Sequence, residues 1–143
     1  MSPAGSSKTW RTTTSEDASG RVTIFRYRDS VDNAARLGQP TLFRLVWRYQ
    51  SDTGMPHIEQ HGRMDELEDA LALAIEADGF ASLVLVSTGD CRREWTYYAG
   101  SREYFMSRLN RGLSSHPSFP IEILVKQEPD WATFNVFQKR GAA

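Results

Sequence analysis

From Thr41 to Tyr49, Phe43, Leu45 and Trp47 alternate with Arg44, Val46 and Arg48, and this period of two predicts a half-buried strand. After a loop spanning Gln50 to Gly62, Leu67, Ala70, Leu71, Ala74 and Ile75 recur at i, i+3, i+4, i+7 and i+8, the apolar stripe of a packed helix. Asp65, with Glu68 three residues on, resembles a capping box, and Gly79 stands where a C-terminal glycine belongs. The nearly continuous run Leu83-Val84-Leu85-Val86 within Phe80 to Ser87 predicts a strand covered on both faces. Thr88-Gly89-Asp90 then turns the chain into a pairing strand, Cys91 to Ala99. Ser101 is an N-cap for a second helix that carries Phe105, Met106, Leu109 and Leu113 inward. Pro120 to Gln127 alternates Ile121, Ile123 and Val125 with Glu122, Leu124 and Lys126 and reads as the last strand. Past Pro129, the spacing of Trp131, Phe134 and Phe137 predicts a short helical turn or strand that lays aromatics over the end of the sheet.

Strand, helix, strand, strand, helix, strand is the order of an α+β, ferredoxin-like βαββαβ antiparallel sheet with both helices on one face. Upstream, Lys8 to Thr13 and Arg21 to Arg28 predict an N-terminal strand hairpin at the edge of that sheet, joined through the polar turn from Thr14 to Gly20. The expected organisation is a frayed N-terminus over residues 1–7, a single α+β domain over 8–137 and a flexible tail over 138–143. Strand parity assigns Phe43, Leu45, Trp47, Trp95, Tyr97, Ile121, Ile123 and Val125 to the face under the helices. It leaves Arg44, Arg48, Arg92, Tyr98 and Lys126 on the open face, tempered by Glu94 and Glu122.

Composition narrows what such a domain does. A chain of 143 residues, 40% hydrophobic and 24% charged, is one ordinary domain that buries roughly 70% of its unfolded surface without needing a disulfide or metal. No apolar run approaches the roughly 20 residues that span a bilayer, and the first seven residues lack the pattern of a secretory signal, so a cytoplasmic location is expected and no membrane partner. The lone cysteine, Cys91, fits a reducing compartment. A net charge of -1 disfavours a dedicated nucleic-acid domain while leaving room for a local basic patch.

Candidate chemistry is sparse. His57 and His61 have the i, i+4 spacing of two metal ligands, but Glu59 is not where an H-E-x-x-H base stands and no third ligand is evident, so a solvated loop is the expected reading. Cys91 beside Arg92 and Arg93 could be an activated thiol, but a small apolar filler at a strand start is the expected reading. The serines lack a nucleophile elbow, and no phosphate-binding glycine loop is present. The acidic first helix (Asp65, Glu66, Glu68, Asp69, Glu76, Asp78) beside Arg102, Arg108 and Arg111 of the second reads as solvated charge or as an acidic surface for a basic partner. The best candidate is the open sheet face, where Arg44, Arg48, Arg92, Tyr98 and Lys126 could hold a phosphate backbone and a stacked base, or could be covered by the segment around Trp10 or by a second copy of the chain.

Taken in order, Ser51-Asp52-Thr53-Gly54-Met55-Pro56, Asp65-Glu66-Leu67-Glu68-Asp69-Ala70-Leu71, Arg93-Glu94-Trp95-Thr96-Tyr97-Tyr98 and Glu128-Pro129-Asp130-Trp131 resemble the bacterial domain-of-unknown-function family "six-nine-five" over about residues 8 to 137. The family pattern prefers Asp before the proline, and Glu128 keeps the carboxylate. The resemblance implies no established activity or catalytic residues, and no cofactor is expected; at fold level it implies similarity to the B-type regulators of ribonuclease E activity, which are acidic protein inhibitors. The expectation is therefore a non-catalytic protein-binding or regulatory module, whose partner is another protein or a second copy. The alternatives are single-stranded nucleic-acid binding through the open face and an enzyme of unknown class built on His57 and His61.

Overall fold

The computed structural model describes residues 9–142, which form one six-stranded antiparallel sheet flanked by helices on both faces. The strands are β1 (Trp10–Glu16), β2 (Val22–Arg28), β3 (Thr41–Arg48), β4 (Ala81–Gly89), β5 (Arg92–Ala99) and β6 (Ile121–Gln127), in the spatial order β1-β2-β4-β5-β3-β6. The helices are α1 (Asn33–Gly38), α2 (Ile58–Leu71), α3 (Arg102–Leu113) and α4 (Ala132–Ala142). The N-terminal hairpin is continuous with the main sheet, because β2 pairs with β4 from Ile24↔Thr88 to Tyr27↔Leu85. This six-strand order exceeds a simple βαββαβ.

On one face, α2 and α3 cover Phe43, Leu45, Trp47, Leu83, Trp95 and Tyr97 with Met64, Leu67, Leu71, Ile75, Phe105 and Leu109. Phe43 and Phe105 stack with centroids 3.9 Å apart, and Trp95 and Tyr97 are fully buried, as parity predicts. The two helices meet where Gly112 faces Ala74, since a Cβ on Gly112 would lie 2.5 Å from that of Ala74. Ser101 caps α3 by accepting the Tyr104 amide at 3.3 Å.

The helix α2 starts earlier than its apolar stripe suggests. Ile58 opens it, with His57 at the N-cap, so Asp65 and Glu68 lie mid-helix and do not form a capping box. Its stripe reaches back to Met64, whose burial pulls the preceding polar turns into the helix. At the other end the helix widens into a π turn over Ala72–Glu76, where the Ala77 amide donates to Ala72 O at 2.9 Å, and Gly79 closes it at a φ of +79°.

The opposite face is not open along its whole length. Trp131, immediately before α4, and Phe134 within it cover Leu42, Val84 and Tyr98, and Trp131 stacks on Tyr98 at 4.1 Å with an interplanar angle of 7°. Farther along α4, Phe137 meets Phe25 and Tyr27 of β2. The helix runs through Ala142, across most of the segment expected to be a flexible tail. Residues 1–7, expected to be frayed, lie outside the described residues. A register shift between Leu83 and Leu85 flips parity within β4, so the run Leu83-Val84-Leu85-Val86 feeds both cores.

Glu128-Pro129-Asp130-Trp131 is the joint that places this cover. The Glu128 carboxylate accepts the Tyr98 hydroxyl, the Thr133 amide at 2.7 Å and the Thr133 hydroxyl at 2.9 Å, anchoring the first turn of α4. Burial opposes its charge, but these donors and Lys126 outweigh burial and hold its pKa below the ordinary glutamate value. Trp131 sits at a φ of +56° and donates Nε1 to Gln39 O at 2.8 Å. The motif is scaffold: it converts the last strand into a roof over Tyr98.

Candidate binding surfaces of the sheet

Register places all five sheet-face residues of the sequence reading on one side. Arg48 pairs directly with Arg92 and Arg44 with Thr96, while Leu42 lies between Tyr98 and Lys126. Tyr98 is fully buried beneath Trp131, so it offers no ring for stacking a base; the roof that covers it comes from residues that parity alone does not place. The arginines remain partly exposed but are held by carboxylates. Arg92 Nε lies 3.0 Å from Glu94, Arg44 Nε 3.7 Å from Glu94, Arg48 Nε 2.9 Å from Glu122 and Lys126 Nζ 3.8 Å from Glu128. Two like charges directly across a ladder repel, and the flanking glutamates relieve the Arg48–Arg92 pair. Arg44 and Arg92 share one shallow depression with Glu94 and Asp90, and Arg48 is held beside it by Glu122, so little net attraction for phosphate is left.

A more strongly coupled set lies on the other face and was not singled out from sequence. Glu68 of α2 accepts Arg26 Nη2 at 2.8 and 2.9 Å, Trp95 Nε1 at 2.9 Å and Arg93 Nη2 at 3.4 Å. Burial works against its charge, but the hydrogen bonds from Arg26 and Trp95 and the charges of Arg26 and Arg93 outweigh it and lower its pKa. Its local sign was the adjacency to Leu67 on the buried stripe, which a mid-helix glutamate on a charged helix does not advertise.

At the far edge of the sheet β6 pairs only with β3 among the described residues, and it is apolar for an edge strand. Leu124 and Val125 are 50% and 36% exposed. A groove of about 410 Å³ runs beside it, walled by Leu109, Leu113, Phe119, Ile121 and Ile123 with His116 at its rim. The other edge, β1, presents mostly threonine and charged side chains.

The remaining sequence candidates are dispersed. His57 occupies the N-cap position of α2 in extended conformation without a side-chain cap bond, and His61 lies in the first turn, 3.3 Å from Asp65, so the stretch from Ile58 is helical and not the expected loop. Among the described residues no group of three or more His, Cys, Asp or Glu side chains converges as metal ligands. Cys91 occupies the β4–β5 turn at a φ of +61°, following Asp90 at +53°, where its thiol lies 3.4 Å from Ser51 O and its amide donates to Gly54 O at 3.0 Å. Of the charges expected to pair between the two helices, Arg108 Nη1 of α3 reaches Asp78, in the turn after the π segment, at 2.7 Å. No helix among the described residues is long and apolar enough to cross a membrane.

No curated protein matches the chain in sequence. A sequence profile of the family described as "Family of unknown function (DUF695)" matches residues 9–137, from just before β1 into α4, and the chain belongs to that family.

Proposed function

We propose that the chain is a non-catalytic module that binds an extended segment of another protein along β6 and so acts as a regulatory contact. The observation that carries this reading is the apolar, singly paired β6 beside the groove of Leu109, Leu113 and Phe119. An edge strand presents unpaired backbone donors and acceptors, and proteins usually blunt such edges with charge. Here Glu122 and Lys126 are interrupted by the exposed Leu124 and Val125, a surface suited to strand addition with side chains seated in the flanking groove. In this reading β3 to β6 form a ferredoxin-like unit, supported by the local order β4-β5-β3-β6 and by α2 and α3 sharing one face. A reducing cytoplasm suits the single free Cys91.

Photo-crosslinking residues placed at Leu124 and, as a control, at Thr13 on the opposite edge test it in lysate of the native host. A discrete heterologous adduct at position 124, absent at 13 and weakened by Val125→Lys, is the expected result. A dimer-sized adduct at 124 would replace the heterologous partner with a second copy, and adducts only at 13 would move the contact off β6.

A further inference from the structure

We infer that the cleft between the β1–β2 hairpin, the loop before α2 and the first turns of α2 is a binding site for a small organic monocarboxylate. Two cross-strand rows on the helix-covered face meet there. One runs Thr12, Arg26, Val86, Trp95 and the other Ile24, Thr88, Arg93. The helices cover the Trp95 end, and toward β1 a cavity of about 280 Å³ remains, near the lower end of the range for small-ligand pockets.

Charge and hydrogen bonding specify the occupant. Arg93 lines the cavity with a side chain only 7% exposed, yet its contacts are long: 3.4 Å to Glu68, 3.5 Å to His61 Nε2 and 4.0 Å to the exposed Asp65. Its Nε has no acceptor among the described residues. A guanidinium carries five donors, and a buried cation with unmet donors is costly until an anion reaches it. Arg26, under the ring of Trp10 at 5.0 Å, donates to Glu68 through Nη2. Two guanidiniums thus share one largely buried carboxylate, and Asp65, 56% exposed and 4.0 Å away, is screened by solvent, so the buried part of the set carries an excess of one positive charge. A planar carboxylate fits such a fork, whereas a phosphate dianion overcompensates it. Thr12 and Thr88 can add hydroxyl donors, while Ile24, Met55, Pro56 and Val86 give the cavity walls that suit a hydrocarbon body.

The test is amide and side-chain NMR titration of the intact protein at low ionic strength with butyrate and benzoate, each against its uncharged amide and against inorganic phosphate. The expected result is saturable millimolar-or-tighter shifts centred on Arg26, Met55 and Arg93 for the carboxylates, with amides and phosphate at least about tenfold weaker. Met55→Glu, a partly exposed loop change that sets a fixed anion at the cavity, should abolish binding while leaving the melting temperature near wild type. Equal shifts with the amides overturn the anion site, equal binding of phosphate overturns the carboxylate assignment, and the absence of saturable shifts from either acid overturns the site itself.

Discussion

Glu68→Gln isolates the charge that joins α2 to the sheet. Glutamine keeps the volume, and its single amide oxygen can still accept Trp95 Nε1, but its amide nitrogen then confronts Arg26 Nη2, donor against donor. The change removes charge-assisted bonds that contribute about 1.5 to 3 kcal/mol each and leaves buried Arg93 with only the exposed Asp65 at 4.0 Å. Breaking a fully buried pair costs about 3 to 5 kcal/mol. Because the Glu68 side chain is 22% exposed, solvent screens part of that, and we place the loss at about 3 kcal/mol. For a domain of this size that corresponds to a fall in Tm of about 10 °C. The assay is urea unfolding of both proteins, followed by tryptophan fluorescence, from about pH 7 down to about pH 3.

The pH dependence separates charge from packing. The folded pKa of Glu68 lies below the ordinary value of 4.5, so its contribution is fully present above that value and is lost as pH falls through the folded pKa. Glutamine has no such ionisation, and the gap between the proteins should narrow on acidification. A gap under about 0.5 kcal/mol at neutral pH, the level of an ordinary surface change, refutes the reasoning. A gap that stays constant through the acid range assigns the loss to packing and refutes the electrostatic account.

Trp131→Ala should cost about 3 to 5 kcal/mol, since the ring is fully buried against Tyr98, while Trp131→Phe keeps the stack and loses about 1 kcal/mol with the bond to Gln39 O; chemical denaturation and hydrogen exchange across α4 distinguish them. Gly112→Ala should destabilise the domain despite the roughly 1 kcal/mol that alanine gains over glycine in a helix, and Ala74→Gly should rescue it. Thermal melts of that double-mutant cycle check the coupling, and additive effects refute a steric contact between α2 and α3. Glu94→Gln should release Arg44 and Arg92 and create salt-sensitive affinity for single-stranded oligonucleotides where the wild type binds weakly; tight, salt-sensitive binding by the wild type refutes the view that carboxylates neutralise this face.

Local patterns carried the parts of the fold that are locally caused. Phe43, Leu45 and Trp47 mark a half-buried strand because a pleat reverses direction at every residue, and Ser101 marks a helix start because its hydroxyl meets an amide three residues away. Six-residue α1 has no buried side chain and left no stripe to read. Ile58 begins α2 although it is 88% exposed, because the helix is stabilised from its packed end at Met64 and Leu67. Coverage of a sheet face is a different kind of fact. Parity assigns Tyr98 to the side away from α2 and α3, but the carboxylate that takes its proton donor lies 30 residues later, and no period in the sequence encodes that meeting.

The cleft obeys the same distinction. Arg26, Glu68 and Arg93 each look like ordinary solvated charge beside their sequence neighbours. Only the pairing of Arg26 with Val86 and of Arg93 with Thr88, under a helix that brings Glu68 down from above, makes them one set. The readable trace is the conflict itself: arginines at positions that alternate with the residues of one sheet face and fall on the other, helix-covered face. In β2, Ile24 and Arg26 share that inward parity, and in β5, Arg93 shares it with Trp95 and Tyr97. A charge placed where hydrophobic residues are expected must find a partner within the fold or bring one from outside it. Glu68 meets that demand for Arg26; for Arg93 it meets it only in part, and that remainder is what makes the cleft a site rather than a seam.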